Sequence, residues 1–114
     1  MKEIKKDIII GFLIFTLDIA LIFFFWKNNI LLTSALLIVS AFILFSWSSK
    51  EEKILYFACF ILGPFYDLIL APAGAWSYGN PTTFGIPIWI YPAYGNSIVA
   101  IIKIGKSVAR IFFK

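Results

Sequence analysis

The order of apolar and polar residues divides the chain into four long apolar runs separated by short polar connectors. A helix needs about 20 apolar residues to cross the hydrocarbon core of a membrane, and each run is close to this length. The pattern therefore predicts a single-domain, all-α integral membrane bundle over residues 1–114. Its four transmembrane helices are predicted at 8–26, 30–48, 54–75 and 86–105, and residues 106–114 are predicted to form a tail along the inner membrane interface.

Prolines are expected to interrupt the third and fourth predicted helices. Pro64 and Pro72 flank Asp67 in the third run, and Pro87 and Pro92 lie in the outer half of the fourth. A proline has no backbone N–H, so a carbonyl one turn earlier loses its usual helical partner. Irregular backbone within a membrane is tolerated where it lines a cavity or meets polar groups. We therefore expect an outward-opening pocket beside these prolines.

The composition agrees with a membrane protein, since hydrophobic residues make up 61% of the chain and charged residues only 14%. The sequence has no histidine, which excludes a histidine-based catalytic triad and an imidazole metal site. Its single cysteine, Cys59, has no partner for a disulfide or a thiolate metal site. We therefore expect neither a metal nor a cofactor.

Basic residues are distributed unevenly between the two predicted sides of the membrane. Nine of the ten lysines and arginines fall on the side of the N-terminus, and only Lys27 falls on the other. Because positive charge in short loops marks the cytoplasmic side, we expect a multi-pass protein of the cell membrane with cytoplasmic N- and C-termini. The basic residues border apolar runs and form no single patch, so the expected partner is membrane lipid and not nucleic acid.

Each apolar run has a polar residue near its centre, namely Asp18, Ser40, Asp67 and Asn96. A carboxylate facing lipid at this depth costs at least about 2.5 kcal/mol, so both aspartates are expected to face the bundle interior. If they approach each other, we expect them to share one proton, because two like charges are unfavourable in a poor dielectric. Ser40 and Asn96 would be further hydrogen-bonding partners. A simpler interpretation is that the layer only joins the helices.

Aromatic residues surround the outer ends of the third and fourth runs. Most are expected to form a belt at the membrane interface. Trp89, Pro92 and Asn96 share one helical face by their spacing, so Trp89 is a candidate for the pocket mouth. With Trp76 and Tyr78 it would suit a flat, conjugated or isoprenoid ligand.

The segment from Gly63 to Gly95 resembles the small membrane enzymes of carotenoid synthesis, the membrane lycopene cyclases and the carotenoid hydratases. The matching motifs are Trp76-Ser77-Tyr78 and Gly85-Ile86-Pro87. This resemblance implies protonation of a polyene double bond by a membrane-embedded carboxylic acid, with Asp67 as the acid and Asp18 as its proton partner. Cyclases have an acidic pair after the proline motif, where this chain has Ile88-Trp89-Ile90.

Three classes of function follow from these residues. The first is an isoprenoid-binding protein or enzyme, with Asp67 and Asp18 as candidate catalytic residues and Asn96, Trp89, Trp76, Tyr78 and Ser40 as candidate ligand-binding residues. The second is a small proton- or cation-coupled transporter, expected to be a homo-oligomer, in which the same carboxylates bind protons and substrate. The third is a noncatalytic accessory subunit of a larger membrane complex.

Overall fold

The computed structural model of the protein describes residues 2–75, 77–79, 81 and 85–113, and of Lys2 only the backbone. Within these residues the chain forms four α-helices, and a five-residue π-helical turn extends the second. The helices are α1 (Lys2–Phe25), α2 (Asn29–Phe42), α3 (Lys50–Leu70) and α4 (Ile90–Phe112), and the π-helical turn is Ile43–Trp47. The all-α class predicted from the apolar runs is confirmed.

Polar residues in the two short connectors start the second and third helices. The Asn28 side chain caps α2 by accepting a hydrogen bond from the Leu31 N–H at 3.1 Å. Ser49 and Glu52 form a reciprocal capping box at the start of α3, with N···O distances of 2.8 and 3.3 Å. Because this polar segment forms the first turn of α3, the helix begins four residues before the apolar run at 54–75.

Three of the four prolines that were expected to interrupt helices lie in the first turn of a helix or outside the helices, and only Pro64 lies in a helix interior. α3 is continuous across Pro64 and stops two residues before Pro72, inside the predicted span 54–75. α4 begins three residues after Pro87, and Pro92 occupies its third position. A backbone N–H at that position has no intrahelical acceptor, so proline is tolerated there. Neither helix is interrupted internally, and among the described residues the irregular backbone near these prolines belongs to the α3–α4 connector.

Three helical segments are long and apolar enough to cross a membrane, namely Glu3–Phe25, Asn29–Trp47 and Lys50–Leu70. α4 has 23 residues, and Lys103, Lys106 and Arg110 lie in its C-terminal half. It includes most of the predicted fourth span and continues without a break through the predicted tail as far as Phe112. The tail is therefore an extension of α4.

The packing of the bundle is centred on α4, which contacts each of the other helices and packs most extensively on α1 and α3. Gly11 allows α1 to come close, because an added Cβ would lie only 2.6 Å from the Ile104 side chain. The larger cluster of buried apolar residues draws on all four helices and the π-helical turn, and consists of Ile14, Val39, Ile43, Tyr56, Val99 and Ala100. A second cluster lies nearer the α3–α4 connector and consists of Leu32, Leu36, Trp89 and Ile90.

Many large apolar side chains point away from these clusters and remain exposed. Phe23, Ile30 and Phe45 are examples, with exposed fractions of 72%, 82% and 88%. A soluble protein of this size rarely exposes so much contiguous apolar surface. Together with the three long apolar helices, this surface is typical of a membrane protein whose outside is covered by lipid.

Candidate functional site

Asp67 lies in the last turn of α3 and joins three segments of the chain. Its side chain is 1% exposed. Its Oδ2 atom accepts hydrogen bonds from the hydroxyls of Tyr78 and Tyr94, both at 3.0 Å. Tyr94 belongs to α4, and Tyr78 belongs to the α3–α4 connector. Two phenol donors on one oxygen suit an acceptor carboxylate.

Tyr94 reaches Asp67 because the facing residue on α3 is a glycine. Gly63 lies one helical turn before Asp67, on the same face of α3. A Cβ at Gly63 would lie 2.5 Å from the Cγ atom of Tyr94, closer than real Cβ atoms approach other heavy atoms. The missing side chain therefore provides the space in which the Tyr94 ring crosses α3.

A second polar cluster connects α2, α3 and α4 near the middle of the bundle. Tyr56 donates a hydrogen bond to Ser40 Oγ at 2.6 Å. Ser40 Oγ lies 2.6 Å from Asn96 Oδ1 and 3.0 Å from the Leu36 carbonyl oxygen, and its one hydrogen can be donated to either. Asn96 Nδ2 donates to the same Leu36 carbonyl at 3.1 Å. The ring of Tyr56 fits against Gly95, where an added Cβ would lie 2.5 Å from it.

Asp18 lies on the buried face of α1, with 4% of its surface exposed. Within the described part of the chain, neither of its carboxyl oxygens has a partner in hydrogen-bond geometry, although the Asn96 side chain lies close by. The expected proton-sharing hydrogen bond between Asp18 and Asp67 is therefore absent. α1 and α3 both pack mainly on α4. Asp18 therefore lies at the contact of α1 with α4 and Asp67 at the contact of α3 with α4, although the sequence predicts a similar depth for both.

The structure describes two of the three aromatic candidates, Trp89 and Tyr78. Trp89 is 8% exposed and occupies the N-cap position of α4 without a capping hydrogen bond from its side chain. Its ring contacts that of Tyr78 edge to face at a centroid distance of 6.2 Å. Pro92 and Asn96 are buried on the same helix. Tyr78 is half-buried and bonds Asp67. Trp76 lies outside the described residues.

An apolar groove of about 370 Å³ runs along α4 between α1 and α3. One wall residue comes from α1 and one from α3, and the others come from α4. The lining residues are Phe15, Cys59, Ile90, Ala93, Tyr94, Ser97, Ile98 and Ile101. Because Tyr94 lines the groove and also bonds Asp67, one phenol ring connects the apolar groove with the buried carboxyl group.

A third polar cluster lies at the end of the bundle that holds both termini. Glu52 is 4% exposed and pairs with Lys103 at 3.0 Å and Lys106 at 3.5 Å. The Lys103 ammonium also lies 5.0 Å from the centre of the Trp47 ring, and the Trp47 indole donates to Asp7 Oδ1 at 3.0 Å. Asp7 and Trp47 lie on α1 and the π-helical turn, so this cluster joins all four helical segments.

Sequence reasoning missed several of these groups, although a helical projection from Asp67 indicates some of them. Tyr56 and Glu52 precede Asp67 by eleven and fifteen residues, which is close to a whole number of helical turns. The motif Ser49-x-x-Glu52 also indicates a helix start. No sequence signal pairs Gly63 with Tyr94, because that contact depends on which helices are neighbours.

Within the described part of the chain, no group of three or more Asp, Glu, Cys or His residues is placed to hold a metal ion. The chemistry of the interior is that of single carboxyl groups, phenols and amides. Comparison with known protein families, with curated proteins and with solved structures finds no match for this chain.

Proposed function

We propose that this chain is a four-span protein of the cell membrane that binds an isoprenoid-type lipid in the groove along α4. In this proposal α4 is the fourth span, both termini are cytoplasmic, and the α3–α4 connector lies on the outer side. The observation that carries the proposal is the continuity between the apolar groove and Asp67 through the Tyr94 ring.

The groove residues fit a long, unsaturated and mainly apolar ligand. Phe15, Ile90, Ile98 and Ile101 offer apolar contacts along the groove, and the membrane gives such a ligand direct access. At Tyr94 the surface becomes polar, so a functional group or conjugated end of the lipid would be oriented there. The resemblance to the enzymes of carotenoid synthesis favours the same ligand class.

The test is mass spectrometry of lipids extracted from gently purified protein expressed in a lycopene-producing host. Ala93→Phe would fill the groove, because Ala93 lines it. Ala58→Phe is the matched control, since Ala58 is exposed on α3 and does not line the groove. We expect a polyene or isoprenoid to be enriched with wild type and Ala58→Phe and lost with Ala93→Phe. Equal recovery from all three, or only ordinary phospholipid, would contradict the proposal.

A second candidate function is proton-coupled transport, which is favoured by the burial of Asp18 without a hydrogen-bond partner. An intramembrane acid of this kind is a common element of proton relays. Reconstituted protein would then show substrate flux that depends on the pH gradient and is lost in Asp18→Asn. Flux that persists in this variant would exclude Asp18 as the coupling residue.

A further inference from the structure

The two buried aspartates have opposite hydrogen-bonding environments. Both are almost fully buried, with exposed fractions of 4% for Asp18 and 1% for Asp67. Asp67 accepts two phenol hydroxyls on one oxygen, whereas both oxygens of Asp18 lack a partner. Burial alone therefore does not distinguish them, but the supply of hydrogen-bond donors does.

A carboxylate that leaves water keeps its charge only if donors or a cation replace its hydration. Without them the desolvation penalty amounts to several kcal/mol, and binding a proton removes most of it. Asp67 has two such donors. Asp18 has no donor within hydrogen-bond geometry among the described residues, although the Asn96 side chain lies close by, so little offsets the cost of its charged form.

The elements packed around Asp18 supply no counter-charge within the described part of the chain. α2 contributes Ser40 and α4 contributes Asn96, neither of which titrates. α3 contributes Tyr56, whose hydroxyl is donated to Ser40. The nearest basic residue of α4, Lys103, lies about 10 Å along the helix from Asn96 and is paired with Glu52.

The neighbouring polar cluster also directs its donors elsewhere. Tyr56 donates to Ser40, Ser40 donates to Asn96 or to the Leu36 carbonyl, and one N–H of the Asn96 amide donates to that carbonyl. The second N–H of this amide is the donor of the cluster that remains for Asp18. An ionised Asp18 would need more donors than this one, but a protonated Asp18 does not. The geometry of the cluster is thus complete without a charged Asp18.

We propose that Asp18 is a proton-binding site that carries its proton at neutral pH, whereas Asp67 accepts hydrogen bonds from Tyr78 and Tyr94. The proton belongs to Asp18 alone and is not shared by the pair. This assignment does not depend on the lipid ligand proposed above. Asp18 is then the residue that can release and rebind a proton inside the bundle.

Infrared spectroscopy of the purified protein at neutral pH tests the assignment through the carbonyl band of a protonated carboxyl group. We expect this band in wild type, in Asp67→Asn and in the control Asp7→Asn, and we expect it to disappear in Asp18→Asn. Retention of the band in Asp18→Asn would overturn the proposal, as would its loss in both Asp18→Asn and Asp67→Asn, which indicates a shared proton. Absence of the band in wild type would also overturn it.

Thermal unfolding provides a second readout that does not depend on the spectrum. An amide closely resembles a neutral carboxyl group, so Asp18→Asn is expected to fold with nearly wild-type stability. Asp67→Asn places an amide opposite two phenol donors and should be clearly less stable than Asp18→Asn. Failure of Asp18→Asn to fold while Asp67→Asn folds normally would contradict the assignment.

Discussion

The contact between Gly63 and Tyr94 can be tested by adding a single methyl group. In Gly63→Ala the new Cβ would lie 2.5 Å from Tyr94 Cγ, whereas ordinary contacts begin at 3.4 Å. The ring must therefore retreat by about 1 Å. Rotation about χ2 leaves Cγ in place, and a change in χ1 large enough to move Cγ by this distance would take the side chain off its staggered rotamer. We therefore expect α4 itself to move away from α3.

The expected cost combines overpacking with a weakened hydrogen bond. Overpacking a well-filled interior costs about 1–3 kcal/mol. A retreat of the ring lengthens the 3.0 Å contact between Tyr94 and Asp67, and such bonds contribute about 0.6 kcal/mol on average in membrane proteins. Replacing glycine by alanine stabilises a helix by up to about 1 kcal/mol, which offsets part of this cost. We expect Gly63→Ala to be destabilised by about 0.5–2.5 kcal/mol overall.

Gly105→Ala is the matched control, because Gly105 lies in α4 and an added Cβ there meets no atom within 4 Å. Both variants are to be unfolded in the same detergent and compared with wild type. A cycle with Tyr94→Phe separates the lost hydrogen bond from the steric cost, since Gly63→Ala should cost less once the hydroxyl is gone. Equal stability of the Gly63→Ala and Gly105→Ala proteins would refute the reasoning.

Two further predictions concern the end of the bundle that holds the termini and the orientation of the chain. Glu52→Gln leaves two lysines without their buried counter-charge and should lower the free energy of unfolding by about 3 kcal/mol. In the same unfolding assay, Glu51→Gln at an exposed position should change stability by less than about 0.5 kcal/mol. Similar values for both variants would contradict the role of the buried pair. In a Cys59→Ser background, a cysteine at Ser77 should react with an impermeant thiol reagent on intact cells and one at Glu51 should not. The reverse labelling pattern would invert the proposed topology.

Much of the helical architecture follows from the sequence, because it depends on local pattern. Four apolar runs predict four helices, and the structure has them. Helix ends were less predictable, since apolar runs do not include the polar turns that caps add. α3 gains its first turn from the segment containing Ser49 and Glu52. The prediction that Pro64 interrupts the third helix was wrong, since Pro64 lies within a continuous helix.

The candidate site could be predicted only in part. Burial of Asp18 and Asp67 was expected from the cost of exposing a carboxylate to lipid, and both are buried, as are Ser40 and Asn96. A proton shared by Asp18 and Asp67 was expected if the two approach each other, and no hydrogen bond joins them, because similar depth does not determine which helices are neighbours. Contacts across helices, such as Tyr94 on Asp67, depend on rotation about each helix axis and leave no local signal.

In the proposed four-span topology, the arrangement of polar groups explains how α4, the least apolar of the long helices, is stable in a membrane bundle. Lipid chains are as apolar as leucine, so helices in a membrane associate through close packing and hydrogen bonds. α4 has both kinds of contact, since Gly95 accommodates the Tyr56 ring and Asn96 bonds Ser40. Near the termini, Lys103 pairs with the buried Glu52.

These contacts occur at three depths, and each joins α4 to α3. At the connector end Tyr94 bonds Asp67, in the middle Tyr56 packs on Gly95, and near the termini Lys103 pairs with Glu52. In the proposed four-span topology, α4 is unfavourable as an isolated span, and α3 supplies the partners of its Tyr94 and Lys103 side chains. Insertion of α4 is therefore expected to require that α3 is already present, because only then do these two side chains leave water with their partners.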